Sequence, residues 1–177
     1  ELTQKQKIFV LVRLIEFVYQ SQEIDDQANE FVETVSESFN IEEEEYRNIY
    51  SFISSPVEED FSSRNFLLIN GSHKLENSVQ KHYHVEGFKG SIRVLFIPKV
   101  NSLFMRYFGD VELQLNGQIV VPEKTYVLTQ GSSIRANKIS PIYYSDVINS
   151  FLSDISAEKI TFDVENISYK FKNGKIG

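Results

Sequence analysis

The residues of this chain whose type and spacing could hold a metal ion are its three histidines. His82 and His84 alternate along a segment that we expect to be a strand, so both imidazoles would lie on one face, an arrangement that zinc can use. His73 lies upstream in a polar loop, and a carboxylate would still have to complete the site. We therefore expect ordinary surface or half-buried histidines.

A run of four glutamates at residues 42–45 could also bind a cation. On a helix, however, successive side chains point to different sides of the axis, so the carboxylates would not converge on one ion. Negative charge is favoured in the first turn of a helix, where the backbone N–H groups are unpaired. The run predicts a helix start with a solvated acidic face.

Catalysis has little support in the sequence. The chain has no cysteine, no Gly-x-Ser-x-Gly pattern and no histidine placed beside an acid in a recognisable arrangement. The Gly-x-x-x-x-Gly-Lys-Ser/Thr loop that would hold the phosphates of ATP is also missing. We predict that this chain is not itself an enzyme, carries no catalytic or metal-ligating residues, and binds no cofactor by itself.

Size and composition set the class of protein. The 177 residues suffice for one ordinary domain or two small ones, and the 41% hydrophobic and 13% aromatic fractions are typical of a globular protein. No apolar run approaches the roughly 18 residues of a membrane-spanning helix. The absence of cysteine excludes disulfides and thiolate metal sites, and it fits a reducing compartment.

The charge is distributed unevenly. Residues 1–60 contain 15 acidic and 4 basic residues, whereas residues 61–177 contain 10 acidic and 14 basic residues. Such a change of sign predicts two modules with different surfaces. An acidic front module would repel phosphate, so we do not expect nucleic acid or anionic lipid as a partner.

The elements that carry these residues begin with helices in residues 1–56. Apolar residues recur at helical spacing in three stretches, and the first is apolar on most sides, so it is predicted to be the central, most buried helix. Thr3 with Gln6, and Asn40 with Glu43, have capping-box spacing, and Asp25 could cap the second helix. Three such helices predict a small antiparallel bundle.

A polar linker is predicted at residues 57–64, after which the apolar pattern changes to a period of two. Seven short strands are predicted within residues 65–144, with Asn116-Gly117 as the strongest hairpin signal. These strands indicate a small antiparallel β-sandwich. Ser145 is then expected to cap a short helix at residues 146–152, and residues 145–159 form this helix and a connector.

Basic residues of the β module could form a patch that faces the acidic bundle or a partner, although dispersed solvated side chains are the simpler interpretation. The candidates are Lys99, Arg106, Lys124, Arg135 and Lys138.

The turn after the first helix, Ser21-Gln22-Glu23-Ile24-Asp25-Asp26, resembles that of the tellurite-resistance TerB-like helical family, where it has the form x-D-G-x-I-D-x-x-E. The resemblance implies a helical bundle. The family's Asp-Gly is replaced here by Ser21-Gln22, and because that Asp is the plausible metal ligand, no bound cation is expected.

Residues 111–135 (VELQLNGQIVVPEKTYVLTQGSSIR) resemble the closing half of a forkhead-associated (FHA) domain. The residues with which that family binds phosphothreonine have no counterpart here, and Gly90-Ser91-Ile92-Arg93 comes nearest. The resemblance implies a fold relative that has lost phosphopeptide binding.

Residues 160–177 (ITFDVENISYKFKNGKIG) resemble the opening of an ABC-type ATP-binding domain, where a strand of the form I-x-F-x-x-x-N-[V/I]-S leads to an aromatic residue and a glycine-containing turn. The resemblance implies that an aromatic side chain here stacks on the adenine of ATP. Phe171 matches that position best, and Tyr169 is the alternative because strand neighbours two apart share a face. The chain would then stop before the motifs that bind ATP and Mg²⁺.

The predicted fold is therefore α+β, with a TerB-like bundle, an FHA-like sandwich and the first strands of a truncated ABC ATPase domain at residues 160–177. The predicted function is a non-catalytic regulatory segment that binds a protein partner or a transporter subunit. The full-length protein is expected to be a dimer at the cytoplasmic face of a bacterial inner membrane. The alternative is a stand-alone signalling adaptor that binds a phosphorylated or acidic peptide through Arg93 or Arg135.

Overall fold

Helices and strands occupy separate parts of the chain, as predicted for an α+β protein. The computed structural model describes residues 1–20, 26–56, 59–73 and 78–152. The helices are α1 (Gln4–Gln20), α2 (Asp26–Ser38), α3 (Glu43–Ser54) and α4 (Tyr144–Leu152). Within the described residues, no helix is both long enough and apolar enough to cross a membrane.

The helix starts follow the predicted capping pattern in one case only. Thr3 and Gln6 form the expected box, in which the Thr3 N–H donates to Gln6 Oε1 at 2.9 Å. The predicted box at Asn40 is wrong, because Asn40 adopts a left-handed conformation (φ 52°) that ends α2. The predicted Ser145 cap is also wrong, since α4 already begins at Tyr144 and Asp146 Oδ2 accepts the Tyr143 N–H at 2.8 Å. Asp25 lies outside the described residues.

The strands form two sheets. They are β1 (Phe66–Asn70), β2 (Lys81–His84), β3 (Ser91–Ile97), β4 (Ser102–Phe108), β5 (Leu113–Leu115), β6 (Gln118–Ile119), β7 (Thr125–Leu128), β8 (Ser133–Ala136) and β9 (Ile142–Tyr143). The first sheet has the order β2-β1-β3-β4-β7 and the second β6-β5-β8-β9. All pairings are antiparallel except that of β1 with β2.

The seven predicted strands are present with shifted ends, and β2 and β9 complete the sheets. The Asn116-Gly117 hairpin is confirmed, because both residues have positive φ (54° and 80°) and Leu115 pairs with Gln118. Strand β9 has only two residues and follows Pro141, so it carries too little of the alternating pattern to be recognised in the sequence.

Three layers result from the alternation of side chains along the first sheet. One face of the sheet, which includes Ile92, Val94 and Met105, packs in an apolar cluster with the second sheet and α4. The opposite face contributes Leu95 and Phe104, among others, to a second cluster with α1, α2 and α3. Helices α1, α2 and α3, called here the helical layer, therefore share a core with the first sheet.

The segment predicted to be a polar linker contributes to this second core. Phe61 is buried, and its ring stacks on that of Phe66 with a centroid distance of 4.0 Å. Residues 57 and 58 lie outside the described ranges. An aromatic anchor at this point fixes the chain where it passes from α3 to β1.

Candidate interaction surface on the helical layer

The three histidines lie near one another, but their ring nitrogens do not point at a common metal position. The rings of His73 and His84 stack at a centroid distance of 5.2 Å. His84 Nδ1 lies 3.0 Å from the Ser72 carbonyl oxygen, and His82 Nε2 lies 2.9 Å from Asn70 Oδ1. Among the residues that the structure describes, no three histidine, aspartate or glutamate side chains are grouped to hold a metal ion.

The glutamate run forms the first turn of α3, as predicted. Glu42 forms an ion pair with Lys99 at 2.5 Å, and this hydrogen bond raises the pKa of Lys99. Burial raises the pKa of Glu45, an effect that the Lys99 charge opposes. These side chains line a cleft of about 210 Å³ between α3 and the end of β3.

The basic residues do not form a common patch, which the sequence analysis had also regarded as the less simple interpretation. Arg106 is only 4% exposed and lies beneath the helical layer, whereas Lys124, Arg135 and Lys138 are exposed. Lys99 is engaged by Glu42. The exposed basic residues are thus dispersed, solvated side chains, whereas Arg106 is part of the interior.

Arg93 and Arg106, which the sequence analysis assigned to a surface, are buried in the interior. They lie directly opposite each other on β3 and β4, where two like charges would normally repel. Arg93 is 1% exposed and donates to the carbonyl oxygens of Ser55, at 2.9 Å, and Pro56. Both arginines point at the carboxyl end of α3, whose free carbonyls favour cations.

Arg106 completes this contact from the neighbouring strand. Its Nη1 donates to the carbonyl oxygens of Phe52, at 3.1 Å, and Ile53, and its Nε donates to that of Glu123 at 2.8 Å. Burial lowers the pKa of Arg106, an effect that Glu123 and Glu16 oppose. The ring of Phe108 lies within 5.4 Å of both guanidinium carbons. We call this contact the arginine joint.

A second polar contact fixes α1 on the edge strand β7. The Thr125 N–H donates to Glu16 Oε1 at 2.6 Å, and Arg13 Nη1 donates to the Thr125 carbonyl oxygen at 3.0 Å. Arg13 and Glu16 also pair with each other at 2.6 Å. The helical layer is thus attached at two places to backbone groups, which gives its outer surface a fixed position on the sheet.

On the outer surface, a groove runs between α2 and α3. Two adjoining clefts of about 380 and 390 Å³ share Glu33, Tyr46 and Arg47 as lining residues. The rings of Tyr46 and Tyr50 lie at a centroid distance of 6.0 Å and form its floor. The remaining lining residues are Asn29, Ser36, Glu37, Ile41, Glu43 and Ser51.

The electrostatics of this α2–α3 groove favour positive ligands. Burial raises the pKa of Tyr46 to about 12, and the charge of Glu33 adds to the shift. Arg47 is the basic residue among those that line the groove, and it forms an ion pair with Glu43. Glu33 and Glu37 therefore leave an excess of negative charge beside two electron-rich ring faces, which attract cations.

The outer face of α1 is the largest departure from the sequence prediction. Ile8, Leu11, Val12 and Ile15 are buried as expected, but Phe17 is 72% exposed, and Phe9 and Val10 are also exposed. The helix is apolar on most sides because two of its faces are apolar, and the described part of the chain covers one of them. Sequence periodicity alone could not show which face stays uncovered.

Several predicted features lie outside the described residues. These are the adenine-stacking candidates Phe171 and Tyr169, the TerB-like turn between α1 and α2, and the ABC-like segment at residues 160–177. Arg93, which the adaptor alternative would use, is buried in the arginine joint, so a peptide can reach only Arg135.

Comparison of the chain with protein-family models, with curated proteins and with solved structures found no match in any of the three.

Proposed function

We propose that this chain is a non-catalytic regulatory segment of an ABC-type transport ATPase, and that its helical layer binds a positively charged segment of a protein partner or transporter subunit. The observation that carries the proposal is the α2–α3 groove. Its floor is aromatic, its walls carry Glu33 and Glu37, and the arginine joint holds it on a rigid sheet.

The charge of the helical layer selects the partner. Within residues 1–20 and 26–56 the chain has ten acidic and four basic residues. Such a surface attracts cationic segments over a Debye length and repels acidic ones. A lysine or arginine side chain that enters the groove would meet the Glu33 carboxylate and the ring of Tyr46 together. Each such contact contributes about 0.5–1 kcal/mol, so a few of them together favour binding by roughly 2–3 kcal/mol.

The assignment to a transport ATPase rests on the ABC-like segment at residues 160–177. In the proposed full-length protein this segment opens the nucleotide-binding domain, which binds ATP and Mg²⁺, and Phe171 or Tyr169 stacks on the adenine. The bundle is TerB-like and the β layers are FHA-like in this proposal. A glycine-rich phosphate loop about 25 to 40 residues beyond Gly177 in the coding sequence is expected, and a stop codon before it would overturn this part.

Binding by the groove is tested with a synthetic amphipathic peptide of lysine and leucine, labelled for fluorescence anisotropy, and with a glutamate–leucine peptide of the same length. The lysine peptide should bind and the glutamate peptide should not. The double variant Glu33→Gln/Glu37→Gln should weaken binding about tenfold, because it removes both carboxylates that face the rings.

The matched control is Glu86→Gln/Asp110→Asn, which removes the same charge from exposed positions of the β layers. Tyr46→Leu should weaken binding several-fold, and Tyr46→Phe should restore it, because phenylalanine keeps the ring face. Equal losses in the groove variant and in the control would show that net charge alone attracts the peptide, and the groove would then have no role.

A further inference from the structure

Strand β7 forms one edge of the first sheet, and side chains of α1 bind backbone groups of this edge. The Thr125 N–H donates to Glu16 Oε1 at 2.6 Å, and the Thr125 carbonyl oxygen accepts from Arg13 Nη1 at 3.0 Å. An edge strand ordinarily leaves such groups open to pairing with a further strand. At Thr125 this position is taken by a helix.

The register of β7 on β4 shows which backbone groups form the outer edge. Thr125 lies opposite Arg106, and Val127 lies opposite Phe104. In an antiparallel pair, residues bonded to the neighbouring strand alternate with residues whose N–H and C=O groups point away from it. Both groups of Thr125 are bound to α1, so they point away from β4. Those of Val127, two residues further on, lie on the same side of the strand.

The Arg13–Glu16 pair reproduces the bonds of a strand residue. In an antiparallel sheet, the residue opposite Thr125 would accept a hydrogen bond from its N–H and donate one to its carbonyl oxygen. Glu16 supplies the acceptor and Arg13 the donor, and the two side chains bind each other at 2.6 Å. Thr125 and Glu16 are both buried, and hydrogen bonds to charged groups are stronger than those between neutral ones. The pair is therefore a strong competitor to an incoming backbone.

The two edges of the first sheet differ in their need for such cover. At the opposite edge, β2 (Lys81–His84) carries a lysine and two histidines, and charged side chains on an edge strand disfavour pairing with another chain. The β7 sequence Thr125–Leu128 has no charged residue, and its β-branched and aromatic side chains favour strand pairing. Only a contact from outside the strand can then keep a like strand away from β7.

We propose that the Arg13–Glu16 pair blocks a strand-pairing site on β7, and that β7 of a second copy of this chain occupies the site when the pair is removed. An antiparallel pairing centred on Tyr126 places Thr125 of each copy opposite Val127 of the other, so the outward groups of both residues are bonded. Helix α1 thus prevents the first sheets of two copies from joining. This inference does not depend on the α2–α3 groove.

Sedimentation velocity of the double variant Arg13→Ala/Glu16→Ala, from about 10 to 200 μM, tests the proposal. Its self-association should be about tenfold stronger than that of the unaltered chain, because the competing charged contacts are gone. The control is Ile134→Ala, which weakens the core between the two sheets without altering the Arg13–Glu16 pair. The control should associate like the unaltered chain. An equal rise in both variants would show that loss of stability alone brings the copies together, and would overturn the proposal.

A proline at the edge locates the contact. Val127→Pro removes the outward N–H of β7, and proline is tolerated on the outer side of an edge strand. Added to Arg13→Ala/Glu16→Ala, this change should return self-association to the level of the unaltered chain. Association that persists in the triple variant would show that the copies do not meet through β7.

A milder variant and a measurement on the unaltered chain keep the test decisive if the double variant does not fold. Arg13→Ala alone removes a side chain that is 38% exposed and leaves Glu16 on the Thr125 N–H, so its self-association should rise only about threefold. In the unaltered chain, hydrogen exchange of the Thr125 amide should be as slow as that of Tyr126. A Thr125 amide that exchanges like a solvated one, or an Arg13→Ala chain that associates like the unaltered chain, would contradict the proposal.

Discussion

The inner and outer surfaces of the helical layer use charged and aromatic residues in opposite ways. Where the inner surface meets the sheet, Arg93 of β3, Arg106 of β4 and Glu16 of α1 are buried and hydrogen-bonded to backbone groups of a neighbouring element. On the outer surface, Tyr46 and Tyr50 line an open groove and Phe17 is exposed. The inner residues hold the layer on the sheet, whereas the outer ones are available to another molecule.

This difference shows that a charged residue cannot be assigned a role from its type alone. The guanidinium of Arg106 serves three carbonyl acceptors in the interior. The guanidinium of Arg47 is exposed and pairs with Glu43 one helical turn away. Loss of the buried Arg106 contacts should lower the free energy of unfolding strongly, whereas loss of the solvent-screened Arg47–Glu43 pair should change it little.

The largest expected effect is the loss of the arginine joint. Arg106→Leu should lower the free energy of unfolding by about 3–5 kcal/mol, because it leaves buried carbonyl groups without a donor. Arg47→Leu, on the outer surface, should change it by less than about 0.5 kcal/mol. Urea denaturation followed by circular dichroism measures both variants. Similar losses in the two variants would remove the distinction between the surfaces.

A smaller effect concerns the proton of Tyr46. Burial raises the pKa of Tyr46 from its usual value of 10.0 to about 12, so between these pH values the folded state keeps a proton that the unfolded state has lost. The contribution of Tyr46 to stability is therefore complete below pH 10 and is lost as the pH rises towards 12. Tyr46→Phe should flatten this part of the stability profile, measured by urea denaturation at several alkaline pH values. An unchanged slope would mean that Tyr46 ionises like a solvated tyrosine.

Much of the fold could be predicted from local patterns. The helical spacing around Ile8 and Ile49, the alternation of apolar residues after Asn65 and the Asn116-Gly117 turn each depend on neighbours in the sequence. These features identified the helices, the sheet-rich region and its best-defined hairpin. The Thr3–Gln6 capping box belongs to the same group, since both partners lie within one turn.

The interaction surfaces could not be predicted in the same way, because they depend on distant contacts. The carbonyls at the carboxyl end of α3 that Arg93 and Arg106 bind lie 37 to 54 positions away in the chain. Their inward positions in the apolar strands β3 and β4 were a signal, since a basic residue on a buried face needs acceptors. The α2–α3 groove depends on the register of two helices, which periodicity does not fix.

The most direct test of the central claim, that the outer surface of the helical layer is the binding surface, is an NMR titration of the ¹⁵N-labelled chain with the lysine–leucine peptide. The amide signals of Asn29, Glu33, Tyr46 and Tyr50 should shift most, and those of Gly117 and Ile119 on the β5–β6 hairpin should stay in place. The largest shifts on the β layers, or equal shifts over all acidic positions, would contradict the account.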